Sequence, residues 1–170
     1  LRRLIIFRHA KAVPHHAAPD FDRALNERGF GDAAASGRYM AEEHLLPDVA
    51  LVSPSLRTRQ TWEQAAKALG DTPVKQDPRI YEAEAEDLLA VVRDTDPKVR
   101  TAAIVGHNPG MAEFARRLVG HGDRYAFSRM RAGFPTSAMA VVDFPVDDWR
   151  EVDFGQGRLD RFVAPGSAGD

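Results

Sequence analysis

The sequence predicts an α/β fold, a three-layer α/β/α sandwich with a mainly parallel central sheet. Two observations predict it. Short apolar runs of strand length alternate with longer segments whose apolar residues recur at helical spacing. Helices of that length between strands serve as crossovers, which implies parallel strands covered on both faces. The 170 residues, 44% of them hydrophobic, suffice for one domain with a sizeable core, expected over residues 1–163.

The elements follow in order. Residues 4–8 form a short apolar run ending in charge, the first strand. Asn26 is placed to cap a helix from Glu27 to about Leu45, with Phe30, Ala33, Gly37, Met40 and Ala41 near one face. Pro47-Asp48 marks a turn, and residues 49–53 form a second strand. Ser53 or Ser55 caps a helix through Leu69, which Gly70 stops. Residues 74–76 give a short third strand, and residues 85–94 a helix with Leu88, Leu89 and Val92 inward. Residues 101–106 (TAAIVG) are the fourth strand. Asn108 then caps a helix with Pro109 in its first position, running to Val119 and ending at Gly120. Residues 138–144 and 151–154 flank a turn containing Pro and Asp, which predicts a terminal hairpin. Residues 164–170 (APGSAGD) read as a loose tail.

Composition removes several classes of function. Lys and Arg number 23 against 25 Asp and Glu, a net charge of −2, which argues against a nucleic-acid binder. With no cysteine, thiolate catalysis, disulfide scaffolds and Cys-ligated metal sites are excluded. No apolar run approaches the roughly 20 residues of a membrane span. The basic and then apolar start, Leu1 to Phe7, is too short for a signal core and lacks a small-residue cleavage site. It reads as a buried strand, and a cytoplasmic location is expected.

In parallel sheets, ligands bind beyond the carboxyl ends of the strands. Arg8 and His9 follow the first strand, residues 53–59 (SPSLRTR) the second, and His107, Asn108 and Pro109 the fourth. Two histidines and two or three arginines thus converge on one edge from distant segments. Arg57 and Arg59 fall in the first helical turn, where cations oppose the helix dipole by about 0.3–1 kcal/mol each. An anion between them offsets that, and a phosphoryl group suits both the helix N-terminus and the guanidinium fork. Arg59 reads equally as a solvated surface residue. Lys11 either lines the cleft or is simply solvated. His15 and His16 lack the helical spacing of a metal site and read as loop residues. Arg124, Arg129 and Arg131, around Phe127, read as a solvated basic loop, and His44 and His121 as residues near helix ends.

Three segments carry a family resemblance: Arg8-His9-Ala10 with Lys11, residues 53–61 (SPSLRTRQT), and Val105-Gly106-His107-Asn108-Pro109. In this order they resemble the histidine phosphatase superfamily, in its small, SixA-like phosphohistidine phosphatase branch. Residues 20–29 (DFDRALNERG) and 80–89 (IYEAEAEDLL) resemble that branch as well, so the likeness spans about Leu4 to Phe144. It implies a phosphoglycerate mutase-like fold and a metal-independent phosphatase with no cofactor. His9 would be the nucleophile that becomes transiently phosphorylated. Arg8, Arg57 and His107 would form the phosphate pocket, with Lys11 and Arg59 as further candidates. Glu82 matches the acidic position best, although it reads as readily as a surface carboxylate in a run with Glu84, Glu86 and Asp87.

An alkoxide leaving group gains about 10²–10⁴-fold from a proton donor, whereas an imidazole leaves far more readily. The doubtful donor therefore favours phosphohistidine on a signalling or phosphotransfer protein as substrate. A small phosphate ester is the alternative within enzymes, and a non-catalytic phosphate or phosphoprotein-binding module the alternative outside them. Mutases of the superfamily continue after Arg-His-Gly with Glu-Ser and a substrate-binding Asn. Residues 10–16 here read AKAVPHH, which argues against mutase activity.

Overall fold

A computed structural model of the chain describes residues 1–165. Among the described residues seven strands form one sheet, in the order β3-β2-β4-β1-β6-β7-β5. They are β1 (Arg2–Arg8), β2 (Val49–Val52), β3 (Val74–Gln76), β4 (Thr101–Gly106), β5 (Val119–Gly122), β6 (Met139–Phe144) and β7 (Gly157–Val163). β1 pairs parallel with β4, β4 with β2, β2 with β3 and β7 with β5, whereas β6 runs antiparallel to both its neighbours. The sheet is thus mainly parallel, as expected.

Alternation along the strands fills two cores. Leu4 and Ile6 of β1, Ile104 of β4 and Val142 of β6 point to one face. There they meet α3 (Ala85–Arg93), α4 (Gly110–Leu118) and Met130 of α5 (Arg124–Ala132). Ile5, Phe7, Val52, Val105 and Val141 point to the other, against Met40 of α1 (Glu27–Glu42) and Trp62 of α2 (Leu56–Ala66). α1 lies unusually close to α2, since a Cβ on Gly37 would sit 2.2 Å from the carbonyl oxygen of Ala65. No described helix is long and apolar enough to cross a membrane.

Caps set most boundaries. Asn26 accepts from the Gly29 amide at 2.8 Å, as its sequence position predicts. Ser55 stands at the N-cap of α2, but its hydroxyl meets Thr58 Oγ1 (2.6 Å) rather than a backbone amide. α4 begins one residue later than expected: Pro109 is its N-cap, and Asn108 Oδ1 accepts from the Ala112 amide (3.2 Å).

The C-terminal third departs from the sequence reading. The hairpin partner of β6 is β7, not residues 151–154. Those lie at and beyond a 3-10 turn, Trp149–Glu151, which Asp148 caps by accepting from the Arg150 amide (2.9 Å). Trp149 is fully buried and donates to Val99 O at 2.7 Å, which pins this connection to the core. Arg124, Arg129 and Arg131 stand on α5 rather than on a loop, and His121 lies in β5. The expected tail begins differently as well, because Ala164 packs on the core and residues 166–170 lie outside the described residues.

Candidate active site

β2, β4 and β1 are neighbours, so their carboxyl ends lie side by side. The ladder runs one residue past each pair: the His9 amide donates to Gly106 O and the Ser53 amide to Val105 O, both at 3.1 Å. His9 and His107 are thereby held together at the floor of a cleft of about 790 Å³, with Ser53 buried behind them. Residues 11–15, Asp20 and Arg23, residues 81–84, and Asn108 and Pro109 surround it. The His9 and His107 ring centroids lie 5.4 Å apart.

His9 is oriented by its own neighbour. Its Nδ1 lies 2.7 Å from Ala10 O. A carbonyl only accepts, so Nδ1 carries the proton and Nε2 keeps its lone pair. The Ala10 amide donates to Thr61 Oγ1 (2.9 Å), and that hydroxyl donates to Arg57 O (2.7 Å), which ties this loop to α2. His9 is 7% exposed. Burial lowers its pKa to about 4, assisted by the Arg57 and Arg8 charges and resisted by the Ala10 carbonyl. At neutral pH the ring is uncharged, as a nucleophile must be.

His107 sits across the cleft with Nε2 2.8 Å from Ser53 Oγ, while its Nδ1 meets no protein partner. Burial, then the Arg57 charge, lowers its pKa to about 3. Two guanidiniums complete the floor. Arg8 donates through Nη1 to Phe134 O (3.0 Å), and Arg57 donates through Nη1 to Asp20 O (2.7 Å) and through Nη2 to Asp20 Oδ2 (3.2 Å). Neither Nε has a hydrogen-bond partner among the described residues. Burial and the neighbouring Arg57 charge lower the pKa of Arg8.

Three residues at the cleft escaped the sequence reading: Asp20, Arg23 and Tyr81. Asp20 Oδ1 accepts from Arg23 Nε (3.2 Å) and Nη2 (3.1 Å), and its Oδ2 accepts from the Tyr81 hydroxyl. That hydroxyl, then Arg57 and Arg23, hold the Asp20 carboxyl far below the usual carboxylate range. The same bond raises Tyr81 to about 12. The local signal available was the Asp-Phe-Asp-Arg run at residues 20–23, whose significance lies in contacts 37 and 61 residues away.

The sequence-derived candidates divide as follows. Arg8, His9, Arg57 and His107 come together at the floor, and Lys11 and Glu82 line the cleft. Glu82 is exposed and stands at φ 56°. Arg59 does not line it: its Nε donates to Pro54 O at 2.9 Å. Two helical residues on from Arg57, it projects about 200° around α2, so the two side chains cannot share the cleft.

The family model of the histidine phosphatase superfamily (branch 1) matches residues 4–102. Among solved structures, a provisionally assigned phosphohistidine phosphatase SixA from Agrobacterium tumefaciens is 32% identical, with a TM-score of 0.81, over 96% of this chain and 98% of that one. A second provisional SixA, from Nakamurella multipartitia, is 25% identical with a TM-score of 0.85, over 98% and 97%. An uncharacterized protein of Mycobacterium leprae is 29% identical over 164 residues, 93% of this chain and 99% of its own length.

Proposed function

The chain belongs to the histidine phosphatase superfamily, and we propose that it removes the phosphoryl group from phosphohistidine on a signalling or phosphotransfer protein. The observation that carries this reading is a pairing at the cleft. His9 is held neutral with Nε2 free, while His107, Tyr81 and Asp20 at the cleft are each held away from neutral pH. His107 lies at about 3, Tyr81 at about 12, and Asp20 is ionised beneath its partners.

That arrangement suits a phosphorus–nitrogen bond. The bridging nitrogen of phosphohistidine carries no lone pair to protonate. Its ring takes a proton from solvent at the far nitrogen and departs as neutral imidazole. An ester oxygen instead needs its proton on the bridging atom. His9 Nε2 attacks phosphorus, and the bond to the substrate nitrogen breaks. Phosphorylated His9 is then a cation whose Nδ1–H stays on Ala10 O. This protonated ring is itself a good leaving group, so water attacks phosphorus, the Nε2 bond breaks, and His9 returns to its starting tautomer. The proton lost by water passes to phosphate and solvent. The guanidiniums of Arg8 and Arg57 and the His107 ring line the cleft around His9. Together they stabilise the equatorial oxygens, the main task in phosphoryl transfer.

A 32% identical relation to a provisional phosphohistidine phosphatase supports the same substrate class. Glu82 at the cleft mouth is the one observation that favours a small-ester phosphatase. A single-turnover assay in chelator separates the two readings, using a histidine-phosphorylated phosphotransfer protein and p-nitrophenyl phosphate, with wild type and His9→Ala. Wild type should clear the protein-bound phosphate and His9→Ala should not. Turnover of the ester alone would move the function to small phosphate esters.

A further inference from the structure

Resting on the reading that the cleft takes a phosphoryl group, we propose that Asp20 is a positioning residue: it orients Arg57 and trims the positive charge that meets the phosphoryl group. Asp20 begins a 3-10 turn, Asp20–Asp22, on the loop of residues 13–24. The base of that loop is fixed by the Val13 amide on Ala24 O (2.9 Å) and the Asn26 amide on Lys11 O (3.0 Å). The carboxylate is therefore presented to the cleft from a closed loop rather than a loose one.

All its acceptor capacity is in use. Oδ1 takes two bonds from Arg23, and Oδ2 takes one from Arg57 and one from Tyr81. Its carbonyl takes the second bond from Arg57. His15 Nδ1 stands 4.0 Å from Oδ1 at the solvent edge. Asp20 is the partner of every hydrogen bond that the Arg57 guanidinium makes among the described residues, although that side chain is only 7% exposed. A buried fork with one partner points where that partner directs it. Here the direction leaves Nε buried and without a hydrogen-bond partner among the described residues.

The charges agree with this role. Arg8, Arg23 and Arg57 are the three guanidiniums at the cleft, His9 and His107 are neutral, and Asp20 is the carboxylate bonded to Arg23 and Arg57. Loss of the Asp20 charge raises the positive charge that meets a phosphoryl group by one unit, which favours retention of product phosphate over its release.

The test uses the full chain and its Asp20→Asn, Asp20→Ala and Asp20→Glu variants. Calorimetry measures inorganic phosphate binding at low salt, and kinetics with p-nitrophenyl phosphate give kcat and KM separately. Asp20→Asn, which keeps one acceptor oxygen and loses the charge, should bind phosphate about tenfold more tightly. Its kcat should fall about tenfold, with KM falling alongside. Asp20→Ala should lower kcat further, and Asp20→Glu should restore the wild-type phosphate affinity. The proposal is overturned if Asp20→Asn keeps both values within about twofold of wild type. It is equally overturned if all variants weaken phosphate binding in step with a lower Tm, the signature of a merely structural residue. Wild type that binds no phosphate overturns the underlying reading as well. Wild type that binds phosphate and cleaves only the ester overturns the phosphohistidine assignment alone and leaves the Asp20 result standing.

Discussion

Acidification should charge the unfolded chain before it charges the cleft. His9 is lowered to about 4, by burial first and then by the Arg57 and Arg8 charges. His107 is lowered to about 3, by burial first and then by Arg57 and His9. In the unfolded chain both return to about 6.5. A histidine whose folded pKa is depressed binds its proton preferentially when unfolded, so stability falls as pH drops through the unfolded value. The fall continues until the folded value is passed. Between pH 7 and 4.5 this linkage amounts to about 2–3 kcal/mol for each ring, or about 5 kcal/mol for the pair. That is a large share of the roughly 5–15 kcal/mol typical of a domain. The depressed carboxylates Asp20, Asp77, Asp148, Asp160 and Glu86 act in the same direction, chiefly near and below their unfolded values of about 3.9–4.3, so the histidine share is read most cleanly between pH 7 and 5.5. Urea unfolding of wild type and of a His9→Asn/His107→Asn double variant, at pH 7, 5.5 and 4.5, reads the effect. Long-range ¹H–¹⁵N spectra at pH 5.5 should show His9 with a protonated Nδ1 and a bare Nε2. Rings that protonate near 6.5 would refute the neutral nucleophile, as would an acid loss undiminished in the double variant.

Three further outcomes are expected. Arg57→Met should lower kcat/KM about 10²–10³-fold, the effect of removing a preorganised oxyanion donor. Arg57→Lys should recover little of it, since an ammonium cannot meet the Asp20 carbonyl, the Asp20 carboxylate and a phosphoryl oxygen in one plane. Glu82→Gln should leave phosphohistidine turnover within about threefold but slow an alkyl phosphate by about 10²-fold if Glu82 donates the ester's proton. Equal slowing of both substrates would show that the phosphohistidine reaction needs the donor too. Gly37→Ala drives a methyl toward backbone at 2.2 Å, so α1 and α2 must separate. The expected loss is about 1–3 kcal/mol, read as a fall in Tm of about 2–10 °C with activity per folded molecule unchanged.

What the sequence disclosed depended on where the signal was local. β1, β2 and β4 are apolar runs that end at Arg8, Ser53 and Gly106, so the sheet-edge rule leads directly to Arg8, His9, Arg57 and His107. β7 (GRLDRFV) hid because its outward positions are charged. Arg158 and Asp160 sit in the ion-pair group with Arg3, Asp143 and Arg161, while Leu159 and Phe162 pack on one core and Val163 on the other. α5 (RYAFSRMRA) hid because it buries only Ala126 and Met130. Arg59 was overestimated because adjacency in sequence does not survive two steps of a helix. Asp20 and Tyr81 have meaning only once a 61-residue separation is closed, and no periodicity encodes that.

The cleft concentrates what a folded core avoids. Two histidines are held below their ordinary pKa, and His107 Nδ1 and the Nε atoms of Arg8 and Arg57 meet no protein partner. Unpaired buried polar atoms destabilise a fold, so they persist where the surroundings over-determine them. They are set on the ends of strands whose side chains are almost wholly buried, which supplies the rigidity. On the proposed reading, one tetrahedral dianion answers this cleft: its charge opposes the arginines and its phosphorus meets Nε2 of His9. No fixed side chain does this without blocking Nε2 of His9. The capacity left open in the free protein is thus filled by the group in transit between two nitrogens. The same electrostatics that make the chain sensitive to acid are those that keep the nucleophile uncharged at neutral pH.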